Sequence, residues 1–249
     1  MSRLSTRTAI VTGAAKGIGA AIAKALGSEG AAVVVNYRQD ASGAGRVVRE
    51  ITEKGGRAVA VQGDVSQSAD VERVFAGARD AFGPVTVLVN NAGIATFEPL
   101  TAATAETLRA QVDTNVLGPL LTMQALAAQE DIDGASIINV STAGTFSLPA
   151  YAGVYAATKS ALEALTVVAA KELGPRGIRV NAIAPSPTDT EGVRAMGWIG
   201  TDLERASIAN TPLGRTGTPD DYGPVAAFLA SDDARWITGD VLLASGGQR

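Results

Sequence analysis

Seven short runs of Val, Ile, Leu and Ala alternate with stretches of helical periodicity along the whole of this 249-residue chain, and that alternation limits its fold more than any other feature. The runs are 8–13 (TAIVTG), 31–37 (AAVVVNY), 57–64 (RAVAVQGD), 85–91 (VTVLVNN), 134–141 (GASIINVS), 178–185 (IRVNAIAP) and 240–245 (DVLLAS). Helical spacing occupies 17–29, 41–54, 67–82, 101–129, 154–173 and 219–230. Strands this continuously apolar must be covered on both faces, which helices on each side of a parallel sheet provide. Strand–helix–strand crossovers are right-handed. The expected fold class is therefore α/β, a doubly wound seven-stranded parallel sheet with helices on both faces, forming a single domain over residues 1–249. One segment departs from the alternation: 186–217, rich in Pro and Gly with little strand character. It follows the carboxyl end of a strand, where open α/β sheets bind ligands, and so long an excursion reads as a substrate lid.

Between the first strand and the first helix stands Thr12–Gly19, TGAAKGIG. Gly13 permits a tight turn, Gly17 lets a pyrophosphate approach the backbone, and Gly19 lets the helix pack closely, while the unpaired N–H groups of the helix N-terminus face the anion. With a strand before it and a helix after, this reads as the dinucleotide site of a Rossmann fold. At the end of the second strand, where a carboxylate would hold the ribose 2′-hydroxyl of NAD, the chain has Asn36, followed by Tyr37 and Arg38. Lys16 and Arg38 supply two cations for a 2′-phosphate of about −1.5 to −2 charges. They also read as ordinary solvated charges, but the missing carboxylate argues separately. The expected cofactor is NADP(H).

The chain contains no His and no Cys, which removes imidazole bases, thiolate nucleophiles, disulfides and the usual transition-metal ligands, so no metal is expected. Proton chemistry is left to Tyr, Lys, Ser, Thr, Asn and the carboxylates. Tyr155 and Lys159 lie four apart in a helical stretch and share one face. A tyrosine working near neutral pH needs a shift of about three units, roughly 4 kcal/mol, and a fixed cation in a dry pocket is a field able to supply it. Tyr151 has Tyr155 rather than a lysine four residues on, and reads as pocket wall. A net charge of −4 with no basic block argues against nucleic acid or an anionic membrane as partner. No apolar run reaches the roughly 20 residues of a membrane span, and the opening MSRLSTRTAIVTG lacks a signal peptide's apolar region, so a cytoplasmic protein is expected.

The glycine spacing Gly-x-x-x-Gly-x-Gly, Asn90–Gly93 (NNAG), Asn115, Ser141, the pair Tyr155-x-x-x-Lys159 and Asn181–Pro185 follow one another in the order of the short-chain dehydrogenase/reductase family, which this sequence resembles over essentially its whole length. The resemblance implies that Ile18, Asp64, Val65, Asn91, Ala92, Gly93, Pro185, Ser186, Thr188 and Thr190 join the glycine loop, Asn36, Tyr37 and Arg38 around the cofactor. It implies that Tyr155 is the general acid/base, that Lys159 also holds the ribose hydroxyls, and that Asn115 holds a water beside Lys159. Asp64 reads equally as a cap for its turn, and Asn115 as a buried brace. For the hydroxyl that donates to substrate, Thr142 stands 13 residues before Tyr155, the family's usual spacing, while the Ser-x-x-Gly pattern ending at Gly144 selects Ser141. Ser141 is preferred, because some aromatic-ketone reductases of the family have one extra residue in this loop. Ser186 replaces the family's usual glycine and is expected to alter that turn.

Ala143, Phe146, Leu148, Tyr151, Met196, Trp198 and Ile199 form an apolar candidate wall, which favours a hydrophobic ketone or alcohol over a sugar; Met196 and Trp198 also read as residues that pack the lid onto the body. The activity expected is an NADPH-dependent carbonyl reductase or alcohol dehydrogenase. A 3-oxoacyl-carrier-protein reductase, a glucose-1-dehydrogenase-like enzyme and a non-catalytic NADP sensor are the alternatives. The resemblance further implies a homotetramer.

Overall fold

The computed structural model describes residues 2–132 and 134–248; Met1, Asp133 and Arg249, the first and last being the expected ends of the domain, lie outside the described residues. Seven strands form one sheet: β1 (Thr8–Val11), β2 (Ala32–Tyr37), β3 (Arg57–Gln62), β4 (Val87–Asn90), β5 (Ala135–Val140), β6 (Ile178–Pro185) and β7 (Val241–Ala244). Every pairing is parallel, in the order β3-β2-β1-β4-β5-β6-β7. Strand order reverses between β1 and β4, so the loops leaving these two strands diverge and open a crevice at their carboxyl ends. This is a single-domain Rossmann-type sheet, as the alternation of the sequence implies.

The helices are α1 (Gly17–Ser28), α2 (Ala41–Thr52), α3 (Ser68–Phe82), α4 (Ala105–Val112), α5 (Gly118–Ala127), α6 (Gly144–Ser147), α7 (Gly153–Leu173), α8 (Glu191–Ala195), α9 (Asp202–Ala209) and α10 (Gly223–Ala230). Alternate strand residues feed two cores. Val33, Val35, Val89, Ile138 and Ile183 pack with Ile22 and Leu26 of α1 and Leu229 of α10. On the other face Ile10, Val34, Leu88, Ile137 and Val180 pack with Val74 of α3, Leu126 of α5 and Ala170 of α7. The period of two along each strand assigns each residue to one side.

The single helix expected over 101–129 is broken. A 3-10 turn at Leu100–Ala102 precedes α4, and a π turn at Asp113–Leu117 separates α4 from α5. Pro119 has no N–H to return to the carbonyl of Asn115, and the Gly118 N–H bonds instead to the carbonyl of Asp113. A wide turn inserted this way bulges one residue out of register, and here that residue is Asn115. The excursion 186–217, expected to have little strand character, contains α8 and α9 and is pinned near its ends by a bridge between Thr188 and Gly217.

Of the four asparagines within the strands, Asn90 and Asn139 in the central β4 and β5 are linked to each other. Thr122 Oγ1 donates to Asn90 Oδ1 at 2.6 Å, Asn90 Nδ2 to Asn139 Oδ1 at 2.9 Å, and Asn139 Nδ2 to Thr166 Oγ1 at 2.8 Å. This buried chain ties α5 through β4 and β5 to α7. Replacing Asn139 by Val leaves the Asn90 amide without its acceptor in a dry interior, and a loss of about 2 kcal/mol in unfolding free energy is expected in urea titrations near pH 7.

Candidate active site

Four loops meet at the carboxyl ends of the central strands. In the glycine turn after β1, Gly13 has φ +62° and Gly17 φ +58°. A Cβ on Gly13 would lie 2.9 Å from the Ala92 Cα, so this turn and the NNAG loop touch through backbone. Asn91 locks the contact: its Nδ2 donates to the carbonyls of Thr12 and Gly13 at 2.9 and 3.1 Å, and a side chain on Gly19 would collide with that amide. The Ala92 N–H bonds to Thr12 Oγ1. At Gly17 the backbone stays open, and its N–H donates to the Glu191 carboxylate at 3.2 Å. An anion thus already rests on the amide where a pyrophosphate is expected, which tests the chemistry of the turn in its favour. Thr190 caps α8 through Val193 N–H and brings its methyl against Gly17, while Ile18 packs into the core beneath.

At the adenosine end, Asn36 is buried and fully engaged. It donates to the Gly63 carbonyl at 3.1 Å and accepts from the Gly13 N–H, and so braces two turns. Lys16 and Arg38 are exposed at this corner, and Tyr37 is half-buried against the core. Asp64 caps its own turn through Ser66 N–H at 3.0 Å and Ser66 Oγ at 2.8 Å, with Arg38 at 3.6 Å. Val65 is buried against Gly118. A polar cavity of about 560 Å³ opens beside them, lined by Arg38, Gln39, Gln62, Asp64, Asp70 and Arg73. After β6, the Pro185 carbonyl accepts from Ala143 N–H at 2.7 Å. The Thr188 hydroxyl bonds to the Ser186 carbonyl and to the phenol of buried Tyr222 at 2.7 Å. Among the described non-glycine residues only Leu148 and Tyr151 have positive φ, so Ser186 carries no left-handed strain.

Tyr155 and Lys159 lie on one face of α7, the ammonium 5.9 Å from the ring centroid. Lys159 is buried and donates to the Val140 carbonyl at 2.7 Å. Asn115, brought in by the π turn, exchanges hydrogen bonds with Ile94 N–H and carbonyl, both at 2.9 Å, and donates to Thr158 Oγ1. It braces the loop after β4 against α7. The Gly93 turn lies beside both Asn115 Oδ1 and Lys159 Nζ. The two candidate hydroxyls, Ser141 and Thr142, have different surroundings. Ser141 continues the β5 alternation, shares a side with Asn139, and donates to Glu163 Oε1 at 2.6 Å; the Thr142 hydroxyl, which accepts from the Gly144 N–H at 3.2 Å, is the one that acts against burial on the Tyr155 phenol. Of the apolar wall residues, Ala143 is buried and Trp198 and Ile199 half-buried, while Phe146, Leu148, Tyr151 and Met196 are exposed. Phe97 was not singled out by the sequence, yet its ring meets Tyr155 edge-on at 5.7 Å; no local spacing marks it.

The sequence pattern of a family described as enoyl-(acyl carrier protein) reductase matches residues 13–249. Over 249 residues, the whole of both chains, the sequence is 51% identical to an uncharacterized oxidoreductase of Methylorubrum extorquens. It is 39% identical to 3beta-hydroxysteroid dehydrogenase 1 of Eggerthella lenta, covering 98% of this chain and 94% of that one. The crystal structure of the angucycline C-6 ketoreductase LanV with bound NADP superposes with a TM-score of 0.92 at 36% identity, covering 99% of this chain and 96% of LanV.

Burial dominates the electrostatics. It pushes the Tyr155 phenol up, with the Thr142 hydrogen bond opposing, and it lowers the Lys159 ammonium from 10.5 to about 8, opposed by the charge of Glu163. Between about 8 and 10.5 the unfolded chain holds the lysine proton and the folded chain does not, so the contribution of Lys159 to stability rises with pH across that window. Lys159→Met is expected to flatten this rise and to stabilise the fold near neutral pH by up to roughly 3 kcal/mol, read from urea unfolding below and above pH 8.

Proposed function

The chain belongs to the short-chain dehydrogenase/reductase family, and from that premise we propose that it is an NADPH-dependent reductase of hydrophobic ketones, with Tyr155 as the general acid. The observation that carries this reading is the convergence of the Tyr155 phenol, the Thr142 hydroxyl and the buried Lys159 ammonium at the carboxyl end of β5, across the crevice from a glycine turn that holds an anion. When bound, NADPH supplies the hydride. Tyr155 gives its proton to the carbonyl oxygen as that oxygen gains negative charge, and Thr142 donates a hydrogen bond to the same oxygen. Lys159 stabilises the tyrosinate left behind. In the cofactor's binding, Gly17 would leave room for the pyrophosphate while Gly13 and Gly19 let the turn close on Ala92 and Asn91, Lys16 and Arg38 would face the 2′-phosphate, and Asn91, Ala92 and Gly93 would shape the floor. Residues 186–217 act as the lid. Exposed Leu108, Val112 and Val168 on α4 and α7 fit a homotetramer built on those helices.

The wall supports the substrate class. Phe97, Phe146, Leu148, Tyr151 and Met196 expose apolar or aromatic surface, and none offers a carboxylate or amide to pair with sugar hydroxyls. The steroid dehydrogenase and the angucycline ketoreductase among its relatives are named for polycyclic substrates.

NADPH oxidation with α-tetralone, a 3-ketosteroid and a 3-oxoacyl thioester tests the reaction. Tyr155→Phe is expected to lower kcat by about a thousandfold and Thr142→Ala by about a hundredfold, with Ser141→Ala costing less than about tenfold. Crippling by Ser141→Ala with Thr142→Ala active would return the donor role to Ser141; tight NADPH binding without turnover of any ketone would leave a sensor. For the cofactor, Glu191→Gln removes the carboxylate that competes for the Gly17 amide and is expected to tighten NADPH several-fold in calorimetric titrations. Arg38→Ala is expected to narrow the preference for NADPH over NADH by about tenfold.

A further inference from the structure

We propose that Glu163 is a positioning residue of this active site, a carboxylate that fixes the Thr142 hydroxyl by holding the residues on either side of it. The proposal rests on the reading of Tyr155, Thr142 and Lys159 given above. Glu163 stands one helical turn beyond Lys159 and two beyond Tyr155, on the same face of α7. Its Oε1 accepts from Ser141 Oγ at 2.6 Å and from Thr145 Oγ1 at 2.8 Å. Ser141 immediately precedes Thr142, and Thr145 lies in α6 just after it. The Thr145 hydroxyl also lies 2.9 Å from the Thr142 carbonyl. Hydrogen bonds to an ionised acceptor are about twice as strong as neutral ones, so one carboxylate secures both flanks of Thr142.

The segment needs such an anchor. Leu148 and Tyr151 sit at φ 44° and 68°, conformations that cost non-glycine residues about 1–3 kcal/mol each and persist only where neighbouring contacts hold them. From the other direction, Glu163 is the carboxylate whose charge bears on Lys159. Among the described residues the other neighbours are uncharged: the Val140 carbonyl from β5 accepts from that ammonium, and the Gly93 turn, which also borders Asn115, lies beside it. Tyr155 is the other titratable group beside it.

The test uses the intact enzyme with NADPH and α-tetralone. Glu163→Ala loses both hydrogen bonds and is expected to lower kcat at least about tenfold while NADPH affinity stays within about twofold, since no cofactor contact changes. Glu163→Gln keeps an oxygen acceptor for Ser141 and Thr145 but loses the charge. Its kcat at the optimum is expected to stay near that of the parent, while the alkaline limb of the pH–rate profile moves down by about one unit. The sign does not depend on which group titrates: removing a nearby anion eases proton loss from lysine and from tyrosine alike, and the two titrate as a coupled pair. An unchanged kcat in Glu163→Ala, or an unmoved alkaline limb in Glu163→Gln, overturns the assignment. Should Glu163→Ala not fold, the limb of Glu163→Gln decides alone. Sustained turnover by Tyr155→Phe would instead overturn the reading of the reaction, so the two failures are distinguishable.

Discussion

A lysine ammonium held inside the protein, against the carbonyl of Val140 and beneath the ring of Tyr155, is the interaction around which the rest of this structure is arranged. A charge in such a place is opposed by desolvation, which is why its proton is held less tightly than in water. Three features of the chain keep it there. The β5 strand ends so that Val140 presents its carbonyl, Glu163 supplies an opposite charge one turn along α7, and Asn115, in the π turn, braces the loop of Gly93 that lies beside the ammonium. The break in the long helix is thus a consequence of the site's needs rather than a flaw in α4 and α5. Without the extra residue in that turn, Asn115 would rotate away from Ile94 and Thr158.

The sheet provides the frame on which this local arrangement depends. Reversal of strand order between β1 and β4 separates the turns that follow them, and Asn91 then draws these turns back into contact by bonding to Thr12 and Gly13. The crevice is therefore narrow at its floor and open above. The chain Thr122–Asn90–Asn139–Thr166 does the same work one layer deeper, fixing α5 and α7 to the central strands. Polar residues inside otherwise apolar strands usually cost stability. These are fully partnered, and they set the positions of the two helices that carry Asn115's turn and Tyr155.

How much of this could be read from the sequence follows from the range of the forces involved. The seven strands were legible because burial on both faces leaves an unmistakable apolar run, and the pair Tyr155 and Lys159 because helical spacing places them together. The π turn was marked only by Pro119, whose missing N–H is a local signal that competes with strong helical periodicity on either side. The direction of Ser141 was legible in principle: it lies two residues after Asn139, and a strand turns such residues to one side, here toward α7 and Glu163. The local Ser-x-x-Gly pattern pointed elsewhere. Asn36, Asp64 and Thr188 illustrate a different limit. Each stands at a strand end expected to border the cofactor and also bonds within the chain, to Gly63, Ser66 and Tyr222, partners that in two of the three cases lie at distances in sequence that no spacing rule reaches.

On the proposed reading, the same division between polar floor and apolar rim governs selectivity. Every group proposed to act on a carbonyl oxygen lies on α7 or at the end of β5, beside the buried and hydrogen-bonded Lys159. Around them Phe97, Phe146, Leu148, Tyr151 and Met196 are more than half exposed and lie on loops and short helices. Such a surface discriminates by shape and area, and one methylene more or less in an apolar pocket changes transition-state binding by only about 1–3 kcal/mol. A rim of this kind ranks ketones by how much apolar surface they bury, while the rigid floor fixes where the oxygen must lie. Tolerance toward the body of the substrate and strictness toward its carbonyl therefore follow from two physically separate parts of one cleft.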